Sequence, residues 1–235
     1  MTIEIKPRKV VLVLVAVIAL IVLANVAALV SEFAFGHDYV FGLIPLVAID
    51  EEQNIPTYFS SLMWLVCALL SLGIAAAEKA NRRSYFYWAA LSLICLYISV
   101  DEFVAFHERV VNAQVRGPVA TREPFYVSWV LVYAVVVAAV ALTFGRFVLR
   151  LPSEIRRLII IAGVAYVFAA MGFEWLSGIY LTTHDWSFGL GYHVVTLFEE
   201  TLEMAAIVML LYALMSYAAK YAGGLSLRIG TPRAE

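Results

Sequence analysis

The sequence predicts an all-α fold, a polytopic membrane helical bundle with six transmembrane helices and both termini cytoplasmic. Three observations carry that prediction. Of the 235 residues, 63% are hydrophobic and only 14% are charged, a balance outside the range of water-soluble domains. Six continuous apolar runs reach the roughly 20 residues a helix needs to cross hydrocarbon. All but three of the 16 Lys and Arg residues fall on alternate connections, the pattern that sets orientation in membranes.

The runs are about residues 10–30, 57–77, 85–108, 125–148, 158–181 and 193–217. They are too long and too uninterrupted for strands. The first follows Lys6, Arg8 and Lys9 and exceeds the roughly 7–15 apolar residues of a signal-peptide core, so it reads as an uncleaved span. The connection Ser31–Pro56 holds an apolar stretch, Phe35–Ile49, broken by Gly36, Gly42 and Pro45, which fits an interfacial or re-entrant segment. Asp50, Glu51 and Glu52 follow, and either stay solvated or fold over the mouth of the bundle. Pro56 suits a helix start, with Asn54 or Thr57 as cap. Tyr85, Tyr87 and Trp88 anchor the inner face, and Phe125, Tyr126, Trp129, Trp186 and Tyr192 the outer. Cys67 and Cys95 lie inside apolar runs without metal-site spacing and read as buried small hydrophobes. No soluble segment interrupts the pattern, so residues 1–235 read as one transmembrane domain.

Several function classes drop out at this stage. A net charge of −2 excludes a strongly basic nucleic-acid binder. There is no phosphate-binding Gly loop, Ser-His-Asp arrangement or haem-attachment motif.

Ionisable residues inside the spans point to function, because hydrocarbon makes them expensive. They are Asp101, Glu102, His107 and Glu108 on the third span, Glu174 on the fifth, and His193, Glu199, Glu200 and Glu203 on the sixth. At 1.5 Å per residue, all fall in the outer half of the bilayer: Glu174 lies about 24 Å along its span, and Glu203 about 15 Å below His193. At 100° per residue, Asp101 and Glu108 share one face, which is expected to point inward, with Glu102 and His107 flanking it. Glu174 is expected to share a face with Gly163, Ala170, Ser177 and Gly178, small residues that admit a close neighbour. His193, Glu199, Glu200 and Glu203 span an arc of about 120°. Carboxylates and imidazoles converging in a helical bundle form the ligand set of carboxylate-bridged metal sites, so a divalent metal ion (iron, manganese or zinc) is the expected cofactor. His184 with Asp185, and His37 with Asp38, read as solvated loop residues.

Three segments, Asp50–Ser61 (DEEQNIPTYFSS), Ser99–Glu108 (SVDEFVAFHE) and Phe198–Met204 (FEETLEM), resemble a group of uncharacterised bacterial multi-pass membrane proteins. That resemblance implies a bacterial inner-membrane location and no particular activity. A weaker likeness is to the membrane zinc hydrolases related to alkaline ceramidases. Those carry Ser-x-x-x-Asp and His-x-x-x-His pairs within seven spans. Here Ser99 stands two residues before Asp101, no His-x-x-x-His occurs and six spans are found.

Three functions compete on these grounds. A metalloprotein would use the carboxylates and histidines as ligands, with a metal-activated water if it were an enzyme. A cation- or proton-coupled transporter would use them as relays. A structural or assembly subunit would bury them against partners in a membrane complex or homo-oligomer. The lipid bilayer is the one partner common to all three.

Overall fold

A computed structural model of the chain describes residues 2–4, 6–105, 128–185, 187–222, 224 and 226–228. The first helix, α1 (Pro7–Phe35), opens on a proline in its first turn, where the missing N–H is harmless. It closes at Gly36, which takes the left-handed conformation at φ 71° and donates to the Glu32 carbonyl at 3.0 Å. A single 3₁₀ turn (Val40–Gly42) and the short α2 (Leu43–Val47) occupy the connection to α3 (Ile55–Ala80). Helix α4 (Phe86–Val104) follows after a tight turn. Beyond it come α5 (Ser128–Arg150), α6 (Ser153–Val167), a π-helical turn (Phe168–Phe173), α7 (Glu174–Thr183) and α8 (Leu190–Tyr221). Two three-residue strands, β1 (Thr2–Glu4) and β2 (Ser226–Arg228), pair antiparallel and bring the two ends of the chain together.

Among the described residues, six helical segments are long and apolar enough to cross a membrane: α1, α3, α4, α5 from Tyr133, α6 through α7, and α8. The chain is therefore an all-α, multi-pass membrane protein. Helix α4 stops at Val104, because Ala105 adopts the left-handed conformation at φ 52°. The part of the expected third span from residue 106 onward, with His107 and Glu108, lies outside the described residues.

Helix α8 is the hub, packing against α1, α3, α6, the π-turn and α7. Met204, Ile207, Leu211 and Leu214 on it are almost fully enclosed. On α1, which is apolar all round, the buried residues Ile18, Ile21, Asn25 and Ala28 form one stripe at spacings of three and four. Helices α3 and α4 are held by small polar groups as well as by packing. The Ser61 hydroxyl donates to the Ser99 carbonyl at 2.7 Å, the Ser99 hydroxyl returns the bond to the Ser61 carbonyl at 2.8 Å, and Ser92 donates to the Ala68 carbonyl at 2.8 Å. Each such bond in a membrane contributes about 0.6 kcal/mol on average. Cys67 and Cys95 are free and buried in the same core.

At the end of the bundle that carries the basic residues, Tyr217 donates to the buried Glu78 at 3.1 Å and Arg83 stands 3.6 Å from the same carboxylate. Trp88 is enclosed between Tyr217 and Phe147. The opposite end, where α1 finishes and α3 and α8 begin, is called here the first-loop end.

Candidate functional site

Two polar centres lie between the middle of the bundle and its first-loop end. The first gathers the carboxylates of α4, α7 and α8. Glu203 is buried on α8, and Glu102, Glu199 and Glu174 all lie within electrostatic reach of it. Glu199, also buried, has Glu174 and Glu200 as charged neighbours. Tyr166 on α6 joins the group, donating to Glu102 Oε1 at 3.2 Å while also facing Glu203. Its ring packs edge-on against Trp64, at 5.0 Å between centroids. The Trp64 indole N–H and, one helical turn beyond Glu174, the Ser177 hydroxyl are buried without hydrogen-bond partners among the described residues.

The π-turn determines which residues of the fifth span reach this centre. A π-turn accommodates about one residue more than an α-turn. Counted as a straight α-helix, Tyr166 and Glu174 are eight residues apart and about 80° out of line. With one residue absorbed they are effectively seven apart, about 20° out of line. The same shift replaces the expected Gly163 by Ala162. Gly163 is exposed, with open space where a Cβ would stand, whereas Ala162 and Ala169 are buried. Beyond the π-turn the expected face holds, because Ser177 and Gly178 are both buried. Before the turn the buried small residue is thus Ala162 and not Gly163; within it Ala169 is buried and Ala170 half-buried.

On α4 the two neighbouring acids face different ways. Asp101 is buried and faces Tyr133 of α5, with Tyr97 beside that tyrosine. Glu102 is the one that meets Tyr166 and Glu203. The helical wheel expects Asp101 inward and Glu102 at the flank. Because α5 packs on the far side of α4, Asp101 also finds a protein neighbour.

The second centre lies higher, at the first-loop end. His193 Nδ1 stands 3.0 Å from Asp50 Oδ2, an ion-pair distance without the alignment of a hydrogen bond. The first loop therefore folds onto α8, and His193 engages the loop while Glu199, Glu200 and Glu203 lie deeper on the same helix. The loop is held by Asn54, which is buried. Its side-chain oxygen caps α3 by accepting from the Thr57 N–H at 3.2 Å, and its amide donates to the carbonyls of Glu51 at 2.8 Å and Ala48. Partial burial pushes the Glu51 carboxyl above its ordinary value, and repulsion from Asp50 and Glu32 adds to the shift. A cavity of about 270 Å³ opens between α1 and this loop, lined by Asn25, Glu32, Asp38, Asp50, Glu51 and His193 among others.

The sequence argument did not single out Asn25 or Tyr166. Asn25 was detectable as a lone amide in an apolar run, at heptad spacing from Ile18 and Glu32. Tyr166 was not, because its contact with Glu102 crosses 64 residues and depends on the π-turn. His184 and Asp185 are exposed, as are His37 and Asp38. Among the described residues, no group of three or more His, Cys, Asp and Glu side chains is arranged to hold a metal ion.

A family model described as a domain of unknown function, DUF8692, matches residues 10–217. No curated protein and no solved structure matches the chain.

Proposed function

The chain belongs to the DUF8692 family, and we propose that it is an inner-membrane protein whose carboxylate centre, built from Glu102, Glu174, Glu199, Glu200 and Glu203 with Tyr166, binds a cation. The observation that carries this reading is the gathering of carboxylates from three helical segments around the buried Glu203. Like charges at low dielectric repel strongly, so they stay together only around a positive charge or by taking up protons. The first ligand we assign is a divalent metal, iron, manganese or zinc, whose hard or borderline character suits carboxylate donors. Asp101, His107, Glu108 and His193 are further candidate ligands from the sequence. If the bound metal activates water, one of these carboxylates serves as the general base.

Elemental analysis of the purified full chain tests the assignment. Wild type should carry about one equivalent of metal, as a single carboxylate site would, and Glu203→Gln should lose most of it. Less than about a tenth of an equivalent in wild type, purified without chelator, would remove the metal reading.

A second reading takes the same carboxylates as proton or cation relays of a transporter. The absence of a metal-like arrangement among the described residues favours it. Proton uptake or cation flux in liposomes that Glu203→Gln abolishes, with no metal bound, would select it. The orientation we propose is N-in and C-in, supported by the basic residues at both termini and in the connections after α3 and α5. A cytoplasm-active fluorescent reporter at the C-terminus should be bright, and a periplasm-active phosphatase reporter there should be silent.

A further inference from the structure

We propose that the cavity at the first-loop end is a binding site for a primary alkylammonium group, separate from the deeper carboxylate centre. Its lining is dominated by groups that accept hydrogen bonds. Glu32 comes from the end of α1, Asp38 from the turn after it, and Asp50 and Glu51 from the acidic loop. A second observation points to a ligand independently of this acidity. Asn25 lines the same cavity and is only 1% exposed, and its side-chain oxygen is buried with no hydrogen-bond partner among the described residues. The amide nitrogen of Asn25 is turned to the Val47 carbonyl, at 3.5 Å, and the other end of the amide is an acceptor. A buried carbonyl oxygen without a donor is costly, and a ligand N–H removes that cost.

The shape and chemistry of the lining narrow the ligand further. About 270 Å³ is close to the lower end of small-molecule sites and larger than a bare ion needs. Among the described residues these carboxylates form no group that could hold a metal ion. A primary ammonium offers three N–H donors to this ring of acceptors. A quaternary ammonium offers none and is recognised instead by the faces of Trp, Tyr or Phe, and among the described residues none of these lines this cavity. His193 is held by Asp50 at the rim, so it acts as a gatepost with no need to contact the cation. The cavity sits near the end of α1, at one end of the apolar bundle, so the same ammonium chemistry can arrive on a lipid headgroup or on a free amine.

The test uses the full chain in two formats. Titration calorimetry in detergent compares ethanolamine with choline. Thermal unfolding in nanodiscs compares phosphatidylethanolamine with phosphatidylcholine. The expected result is saturable binding of ethanolamine, or selective stabilisation by phosphatidylethanolamine, with no response to the choline counterpart. Binding only in the first format identifies a free amine, and stabilisation only in the second a headgroup. Asp50→Asn and Glu32→Gln should each weaken the interaction at least about tenfold, the scale of a lost charge-assisted hydrogen bond. Glu32 lies half-buried at the rim, so its variant keeps the fold even if Asp50→Asn does not. Glu203→Gln should leave amine binding unchanged, which separates this site from the deeper centre. No selectivity for the primary amine in either format, or unaltered binding in Glu32→Gln, would overturn the proposal.

Discussion

Asn54 holds the acidic end of the first loop to the start of α3. One amide caps α3, and the same amide gathers the carbonyls of Ala48 and Glu51. Asn54→Ala should cost about 2 kcal/mol, from the lost cap and the carbonyls left without a donor, measured as a fall in thermal stability in detergent. Glu51 is a second test at this scale. Its carboxyl is raised above the ordinary value of 4.5, so ionisation opposes folding. The wild type should match Glu51→Gln below pH 4.5 and become the less stable of the two as pH rises through the raised value. Unfolding midpoints at about pH 4 and pH 7 check the sign, and equal midpoints at both would contradict it. The Asn54 cap and the acidic loop were legible in the sequence, because capping is local. The partners of Asp50 and Glu102 were not, since each contact joins segments far apart in the chain.

Among the elements, the fifth span shows where helical-wheel reasoning stops. The sequence has no proline between Ser153 and Thr183, and the run is continuously apolar enough to read as one α-helix. An extra residue within one turn leaves no trace in composition, yet it rotates everything before it by about 100° relative to everything after. That is why Glu174, Ser177 and Gly178 were placed correctly with respect to one another, and Gly163 was not. Deleting Ala170 should convert the π-turn to a regular α-turn and swing Tyr166 away from the Glu102–Glu203 line. The expected outcome is a folded helix that loses cation binding as completely as Glu203→Gln does. Circular dichroism and metal analysis report the two parts separately. Retained binding would mean that the π-turn does not set the site.

At the scale of the molecule, the spans divide into enclosed and exposed members. Helix α8 is mostly buried, and α5 from Tyr133 onward has no buried residue within its apolar window. Leu142 on α5 is 83% exposed, as is suitable for a side chain facing lipid tails. In a soluble protein, such a position would accept arginine at almost no cost. Here Leu142→Arg should cost about 2.5–3.5 kcal/mol near the bilayer centre, read from membrane-insertion efficiency or from unfolding in nanodiscs. A neutral outcome would place that face against water or a polar partner. The number of spans was legible from composition alone, because the bilayer imposes length and apolarity on each. Which span would be the hub was not, because hydropathy cannot distinguish lipid from protein as the surroundings.

The central position of α8 also bears on how the chain is made. It follows the other five described spans in the chain, and it supplies the surface on which α1, α3, α6 and α7 pack. Until it enters the membrane, the face that α1 turns to α8 stays open, and Glu199 and Glu203 are missing from the acidic centre. Biogenesis must therefore hold a set of inserted but unassembled helices until α8 joins them. A chain stalled anywhere before Leu190 would present quality-control proteases with exposed polar groups in lipid and no completed core.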